Sequence, residues 1–304
     1  AIGSSIIING TSVIIEKRNT SFKKPETEVD LGNSGTGMRL MMGLISSLNI
    51  EATLVGDESL TKRPMLRIAD PLNEMGASIE CNEGKPPVKI SPGKILENYT
   101  YEMPIASAQV KSGIILCALA ANKSVTVIEK HPTRNHTERM ISHFQGNIAS
   151  IPYKAGNKIS YIPSGLIASK SYEVVGDFSS AAFLIVAGLI AKESNIVIKN
   201  VGLNPTRCGL IDVLISMGGL IEIKNQKLTS NEEVGDIYVK SSSLRGISIS
   251  GDVIPNIIDE IPILSIAAAF AEGETSISDA EELRVKESDR LQAISDGLAK
   301  ININ

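Results

Sequence analysis

Small polar residues introduce several apolar segments of this chain, and a basic residue follows each segment. The small residues are Ser34 with Gly35, Ser107 with Ala108 and Gln109, and Ser179 with Ser180. The basic residues are Arg63, Arg134 and Arg207. A helix N-terminus has unpaired N–H groups and favours an anion, and small residues let the anion approach the backbone. A single serine cap is ordinary, so it is the repetition that predicts a site for a ligand with several phosphates or carboxylates.

The last apolar segment differs from the others because acidic and basic residues lie close together there. Asp259 precedes the segment, and the run RVKESDR at 284–290 follows it. If a helix starts within this run, Glu287 and Arg290 share a face. A carboxylate flanked by Lys286 and Arg290 can stay ionised and pass protons within an anion site. A surface helix with ion pairs explains the same run, so both interpretations stay open on the residues alone.

These segments belong to an internal repeat of about 73 residues. The repeated segments begin at Ser34, Ser107, Ser179 and near Ile258. Each apolar helix is followed by a β-rich run, a loop with a basic residue, a second helix and, in the first three units, two strands.

The second helix of each unit is amphipathic and ends near a glycine. In the first unit its apolar residues are Met65, Ile68, Ala69, Leu72 and Met75. Their spacing is helical. Gly76, Gly146 and Gly218 stand where these helices end, and we expect them to take positive φ.

The composition is that of a soluble globular protein of roughly two domains. The chain has 304 residues, 42% of them apolar, and a net charge of −4 without a block of like charge, which argues against a nucleic-acid partner. The longest apolar run, at 181–191, is too short to cross a membrane. Cys81, Cys117 and Cys208 form no disulfide or zinc pattern, which indicates a reducing cytoplasm. The spacing of the three histidines does not match a metal site.

Both ends of the chain fall inside a repeat unit. Residues 1–6 match residues 74–79, just after a second helix, and residues 291–304 form a second helix without the strands that should follow. We therefore expect the sequence to be a fragment of a longer protein, although terminal repeats that are merely atypical would give the same pattern.

Seven motifs give the chain a resemblance to the EPSP synthase family. They are GNSGTGMRL (32–40), GDESLTKRP (56–64), SAQVKSG (107–113), HPTRNHTERM (131–140), GDFSSAAF (176–183), IDEIP (258–262) and EELRVKESDRL (281–291). The resemblance implies an α/β (α+β) fold, a two-domain clamp of repeated βαβαββ units that form an inverse α/β barrel. About four of the family's six units are present. The N-terminal domain then covers 1–173 and the truncated C-terminal domain 174–304.

The family reaction transfers the enolpyruvyl group of phosphoenolpyruvate to the 5-hydroxyl of shikimate 3-phosphate by addition and elimination. The resemblance implies that no metal or other cofactor takes part. It also implies a cytoplasmic monomer whose partners are these two small molecules, with no nucleic acid and no membrane.

The resemblance also assigns roles to residues. The catalytic residues are Asp259 as proton acceptor at the shikimate hydroxyl, Glu287 as acid and base at the methylene group, and Lys286. Phosphoenolpyruvate is bound by Gly35, Arg63, Gln109 and Arg290. Shikimate 3-phosphate is bound by Ser107, Ala108, Gln109, Arg134, Asp259 and Lys286. Asn33 orders the GNSGT loop. Gly35 is also the position that senses the herbicide glyphosate, and glycine there resembles herbicide-sensitive members.

Three departures and alternatives accompany this resemblance. The family's N-terminal Lys-Ser-x-Arg motif and its C-terminal Arg and Lys have no counterpart, so we expect this polypeptide alone to be inactive. The sister transferase that acts on UDP-N-acetylglucosamine typically has a cysteine before its Arg-Pro, and the loop at 56–64 has none. A non-catalytic binding protein built from the same repeat stays open as an alternative from another class.

Overall fold

Contacts divide the chain into two compact units. The first consists of Ala1–Lys130 and Asn147–Gly165, and the second of His131–Gly146 and Leu166–Asn304. The computed structural model describes residues 2, 6–10, 12–15, 22–165, 168 and 170–303, so most of the opening match at 1–6 lies outside the described residues. The sequence domains 1–173 and 174–304 stay a prediction.

The first repeat of the first unit folds as expected. It follows the hairpin of β1 (Ile6–Asn9) and β2 (Ser12–Ile15). Its elements are β3 (Val29–Asp30), α1 (Gly35–Ser46), β4 (Ala52–Val55), α2 (Leu66–Glu74), β5 (Ser78–Asn82) and β6 (Lys85–Ser91). The sheet order is β3-β4-β6-β5. The first pair is parallel, and the other two pairs are antiparallel.

The second repeat has the same topology. Its elements in this unit are β7 (Tyr99–Glu102), α3 (Ala108–Ala121), β8 (Val125–Glu129), β9 (Ile148–Tyr153) and β10 (Gly156–Tyr161). They form an open sheet in the order β7-β8-β10-β9, again with a parallel first pair. The helices α1 and α3 touch at Gly43, where a Cβ would collide with the backbone of Gly113. This close approach packs α1 directly against α3.

The second unit contains α4 (His136–His143) and two further repeats. The third repeat comprises α5 (Phe178–Ile190), β11 (Asn195–Gly202), α6 (Gly209–Ser216), β12 (Leu220–Thr229) and β13 (Glu232–Lys240). The fourth comprises β14 (Ser248–Ile249), α7 (Ile254–Ile257), α8 (Ile261–Ala269), β15 (Ser276–Ile277) and α9 (Arg290–Ala299). The third-repeat sheet has the order β11-β13-β12.

A parallel contact across the first helix recurs in all four repeats. It joins β3 to β4, β7 to β8 and β14 to β15, and in the third repeat it is the bridge between Gly176 and Val201. The α/β class and the repeat are thereby confirmed. The described strands form open sheets rather than a closed β-barrel.

The apolar faces predicted from the sequence are buried. In α2 and its caps, Met65, Ile68, Leu72 and Met75 are wholly inaccessible. In the second unit, the apolar run at 181–191 lies in α5 and its C-cap Ala191, and α5 packs on α8 and the β11–β13 sheet. None of the helices in the described part of the chain is long and apolar enough to cross a membrane.

Three details of the sequence prediction are wrong. Helix α5 is capped by Asp177, whose carboxylate accepts hydrogen bonds from the N–H groups of Ser179 and Ser180, so Ser179 lies inside the first turn. Helix α9 begins only at Arg290, because Asp289 caps it. After α4 the residue with positive φ is Gln145 and not Gly146; Gly76 and Gly218 do take positive φ, as expected.

A buried ion pair holds α3 to its sheet. Lys111 Nζ lies 3.0 Å from Glu129 Oε2, and both side chains are almost completely inaccessible. Asn157 Nδ2 donates to the other carboxylate oxygen at 2.9 Å. This pair fixes the helix whose first turn carries Ala108 and Gln109.

Replacing Lys111 with alanine is therefore expected to lower the free energy of unfolding by about 3–5 kcal/mol, because Glu129 would keep a buried charge without its cation. Lys123→Ala is the control. It removes an exposed pair with Glu97 and should cost less than about 1 kcal/mol. Urea unfolding of both variants measures the difference, and similar losses would contradict this account of Lys111.

Candidate active site

In the first unit, the carboxylate of Asp57 connects two loops, the one before α1 and the one after β4. Asn33 Nδ2 donates to Asp57 Oδ2 at 2.7 Å, and the Leu60 N–H donates to Asp57 Oδ1 at 2.8 Å. The Asp57 N–H donates to the Gly32 carbonyl. The backbone hydrogen bond from Leu60, together with that from Asn33, lowers the pKa of Asp57. Asn33, in the loop before α1, thus contacts the loop after β4 through Asp57, a residue to which the sequence analysis gave no role.

Gly35 begins α1 directly beside the guanidinium of Arg63. Ser34 caps the helix by accepting a hydrogen bond from Gly37 N–H at 2.9 Å. A Cβ at Gly35 would lie 2.6 Å from Arg63 Cζ, so only glycine leaves the guanidinium in place. Arg63 Nε is buried and has no hydrogen-bond partner among the described residues. A helix N-terminus and an arginine therefore face the same point, which suits an anion.

Gln109 links the N-termini of α3 and α1. Its Nε2 donates to Thr36 Oγ1 at 2.7 Å, and its Oε1 accepts from Arg39 Nη1 at 2.8 Å. Arg39 also donates to the Pro64 carbonyl at 3.1 Å. The sequence analysis missed Arg39, although its position one helical turn after Gly35 was a usable signal.

Ser107 and Ala108 form the start of α3. Ser107 caps the helix, its Oγ accepting from Val110 N–H at 3.4 Å, and Ala108 is the first helical residue. Both are only partly buried. The free N–H groups of this first turn can therefore meet a ligand oxygen.

In the second unit, Asp259 lies between two arginines. Arg134 Nη2 donates to Asp259 Oδ2 at 2.5 Å, and Arg290 Nη1 donates to Oδ1 at 3.1 Å. The two arginines are 156 positions apart in the sequence, so neither spacing nor periodicity could have predicted that they converge. These contacts place two of the sequence-predicted site residues around the carboxylate of a third.

Glu287 shares one of these arginines. Its Oε1 accepts from Arg290 Nε at 2.9 Å and lies 2.7 Å from Nη2. Lys286 lies 4.0 Å from Glu282 and lowers the pKa of Asp259 through its charge. The cluster thus joins two carboxylates of the predicted catalytic set to the cations Arg134, Lys286 and Arg290.

The pKa values of Asp259 and Glu260, the two neighbouring acids of the IDEIP motif, are shifted in opposite directions. Burial pushes the pKa of Asp259 upward, but the charge and hydrogen bond of Arg134, with Lys286 and Arg290, outweigh it and leave the pKa lowered. Glu260 is almost wholly inaccessible, and burial raises its pKa. It accepts a hydrogen bond from the Ser179 hydroxyl. The pKa of Asp259 therefore lies below that of Glu260.

In the third repeat, the basic residue Arg207 pairs with a carboxylate of the same repeat. Arg207 Nη2 donates to Asp177 Oδ1 at 2.9 Å and to Ser179 Oγ at 2.8 Å, at the start of α5. This is the counterpart of Arg63 beside Gly35 in the first repeat. The third repeat thus brings a cation to the start of its first helix, and this cation pairs with the carboxylate of Asp177.

No group of three or more His, Cys, Asp or Glu side chains in the described part of the chain is arranged to hold a metal ion. His136 instead pairs with Glu232, and His131 lies 3.6 Å from Asp252.

The sequence was compared with known protein families. Residues 2–304 match the family model for EPSP synthase (3-phosphoshikimate 1-carboxyvinyltransferase). The chain belongs to the EPSP synthase family. It is 46% identical over 301 residues to the 3-phosphoshikimate 1-carboxyvinyltransferase of Thermoanaerobacter pseudethanolicus, and it is 47% identical over 284 residues to that of Hydrogenovibrio crunogenus. These alignments cover 99% and 93% of this chain, and 70% and 64% of the two relatives.

Solved structures agree with membership of the EPSP synthase family. The EPSP synthase of Acinetobacter baumannii superposes with a TM-score of 0.83 at 43% identity, covering 98% of this chain and 67% of the other. An enolpyruvyl transferase from Streptomyces tendae, at 15% identity, has a TM-score of 0.66 over 91% of this chain and 64% of its own, which shows a shared fold.

Proposed function

We propose that this chain carries the transfer of the enolpyruvyl group from phosphoenolpyruvate to the 5-hydroxyl of shikimate 3-phosphate, with release of phosphate. The observation that carries the proposal is the position of Asp259, a carboxylate with one oxygen on Arg134 and the other on Arg290. A base for an alcohol, placed between cations for two anionic substrates, is what this reaction requires.

The addition step uses both carboxylates of this cluster. The shikimate hydroxyl oxygen attacks C2 of phosphoenolpyruvate, and its proton goes to Asp259. The methylene carbon C3 takes a proton from Glu287 in its acid form, which gives a tetrahedral intermediate. The cations stabilise the charge on the reacting anions.

The elimination step reverses the proton transfer at carbon. The C2–O bond to phosphate breaks, and phosphate leaves with the proton that Asp259 took from the hydroxyl, so that the Asp259 carboxylate is restored. A proton of the new methyl group returns to the Glu287 carboxylate, and the C2–C3 double bond forms again. The atoms balance without an oxidant or a reductant, so the chemistry needs positioned acids, bases and cations only.

The first unit contributes binding groups. Gly35 and Arg63 form a place for phosphoenolpyruvate at the start of α1, and Gln109 joins it to the start of α3. Ser107 and Ala108 are binding groups for shikimate 3-phosphate. In the second unit, Arg134 is the binding group for the phosphate of that substrate. We propose further that the protein works as a cytoplasmic monomer with the domain division 1–173 and 174–304.

The test is phosphate release by the natural protein that carries this sequence. Phosphate should appear only when phosphoenolpyruvate and shikimate 3-phosphate are both present, together with a product that retains the enolpyruvyl group. Release with UDP-N-acetylglucosamine as acceptor would instead favour the sister transferase. Binding of shikimate 3-phosphate without any turnover would favour a binding protein and overturn the proposal.

A methyl group at position 35 is expected to weaken phosphoenolpyruvate binding. In Gly35→Ala the new Cβ must displace the Arg63 guanidinium, so the KM for phosphoenolpyruvate should rise about tenfold, the loss of roughly one charge-assisted hydrogen bond. Gly297→Ala, whose Cβ meets nothing within 4 Å, is the control. An unchanged KM in Gly35→Ala would show that Arg63 does not bind this substrate.

A further inference from the structure

The catalytic roles above leave the HTER motif at 136–139 without a function. The motif lies in α4, which belongs to the second unit. There it meets Glu232, the first residue of β13, whose side chain is only 3% exposed. A buried carboxylate needs charged or hydrogen-bonding partners, and the motif supplies them.

Both oxygens of Glu232 are in use. Oε1 lies 2.7 Å from His136 Nδ1, and Oε2 accepts from Asn204 Nδ2 at 3.0 Å. Arg139 Nη1 lies 3.9 Å from Oε2. Burial pushes the pKa of Glu232 upward, but the His136 and Asn204 contacts outweigh it and leave the pKa lowered. Because the carboxylate is ionised, His136 Nδ1 carries the proton and donates it.

A second layer of contacts fixes the residue before α4. Asn135 Oδ1 accepts from Asn204 Nδ2 at 2.8 Å and from Arg139 Nε at 2.9 Å. Arg139 also donates to both oxygens of Glu233, at 2.5 and 3.2 Å. Asn204 is thus shared between Glu232 and Asn135, so the start of α4 is held on two successive residues.

Arg134 is the residue directly before this anchored pair. Its side chain donates to Asp259, and its own backbone has no regular secondary structure. The direction of the Arg134 side chain therefore depends on where Asn135 and His136 are held. Glu232 is the buried acceptor at the centre of that contact set, and its partners in the described structure are His136, Asn204 and Arg139 rather than Arg134 or Asp259.

We propose that Glu232 is a positioning residue for Arg134: through His136 and Asn204 it holds the start of α4, so that Arg134 reaches the anion site beside Asp259. The role assigned to Arg134 rests on the proposed function, in which this arginine binds the phosphate of shikimate 3-phosphate. Glu232 acts on binding of that phosphate rather than on the chemical step.

The first experiment compares Glu232→Gln with Glu222→Gln in the natural protein. Each carboxylate oxygen of Glu232 accepts from one donor, but glutamine has only one acceptor oxygen. Glu222 is the control because it lies in an exposed pair with Lys224. We expect Glu232→Gln to raise the Kd for inorganic phosphate and the KM for shikimate 3-phosphate about tenfold. The kcat should change by no more than about twofold, and Glu222→Gln should behave as wild type.

The second experiment asks whether Glu232 acts through Arg134. The double variant Arg134→Gln with Glu232→Gln should bind phosphate no more weakly than Arg134→Gln alone, since residues that act through one contact are non-additive. Hydrogen exchange of amides 135–143 should quicken in Glu232→Gln. His136→Gln, at a half-exposed residue, should reproduce both effects if Glu232→Gln does not fold.

Each outcome decides the proposal. Additive losses, or an unchanged Kd for phosphate in both single variants, would overturn it. A fall in kcat with constant KM would also overturn it, because that would place Glu232 in the chemical step. If the wild type binds phosphate but never turns over, the proposed function fails, and the phosphate measurements and hydrogen exchange still decide the role of Glu232.

Discussion

Asp259→Asn is expected to reduce turnover about 10²–10⁴-fold, the usual effect of losing a positioned general base, and at the same time to tighten the binding of inorganic phosphate. The two effects have one cause. In the free protein both carboxylate oxygens of Asp259 occupy arginines, Arg134 and Arg290. The anion that these arginines should bind must therefore compete with the base itself.

The second effect follows from charge. An amide at position 259 would be a weaker partner for the two guanidinium groups. Phosphate should therefore bind about tenfold more tightly, which corresponds to the free energy of roughly one charge-assisted hydrogen bond that no longer has to be broken. In the wild type the same competition means that bound substrate anions draw the arginines away from Asp259. The carboxylate then becomes a stronger base when the substrates are in place.

Calorimetric titration with phosphate and a phosphate-release assay measure the two effects. Asp236→Asn is the matched control, because its carboxylate accepts hydrogen bonds from Asn225 and the Asn200 N–H and pairs with no arginine in the described structure. It should leave both quantities unchanged. Weaker phosphate binding in Asp259→Asn would show that Asp259 helps to hold the anion and does not compete with it.

Glu287→Gln is expected to lower kcat by a similar factor, about 10²–10⁴, for a different reason. Glutamine can still accept a hydrogen bond from Arg290, but it cannot give a proton to the methylene carbon or take one back. The KM values should change little, because the cations remain.

Turnover in D2O makes this prediction specific. With the wild type, product and recovered phosphoenolpyruvate should acquire deuterium at the methylene carbon, and with Glu287→Gln they should not. Glu281→Gln, an exposed residue of the same charged stretch, is the control. Deuterium incorporation at the wild-type rate in Glu287→Gln would assign the proton at carbon to another group.

Much of the fold was predictable because the repeat combines local signals. Ser34 and Ser107 cap helices as expected, and the apolar spacing of α2 matches its buried face. The errors came from local competition. Asp177 precedes Ser179 and is at least as good a cap, and Asp289 moved the start of α9 past Glu287. Neither error altered the Glu287–Arg290 pair, which the three-residue spacing had suggested.

The arrangement of the site was less predictable than its members. The residue types of Asp259, Glu287 and Arg290 indicated acid–base chemistry among cations, but the contact between Arg134 and Asp259 joins segments 125 residues apart. Sequence periodicity describes one element at a time and carries no information about such contacts. The supporting residues Asp57 and Glu232 were missed for the same reason, since each is defined by its partners.

His131–Gly146 belongs to the second unit, although the segments on both sides of it belong to the first. This has a consequence for dividing the protein into separate chains. The polypeptide passes from one unit to the other after Lys130, after Gly146 and after Gly165. A protease that cuts at one of these places leaves the units joined by the other two. A gene divided at a single codon near 165 would encode a second half without α4 and Arg134, so the second unit would be complete only when residues 131–146 of the first half join it.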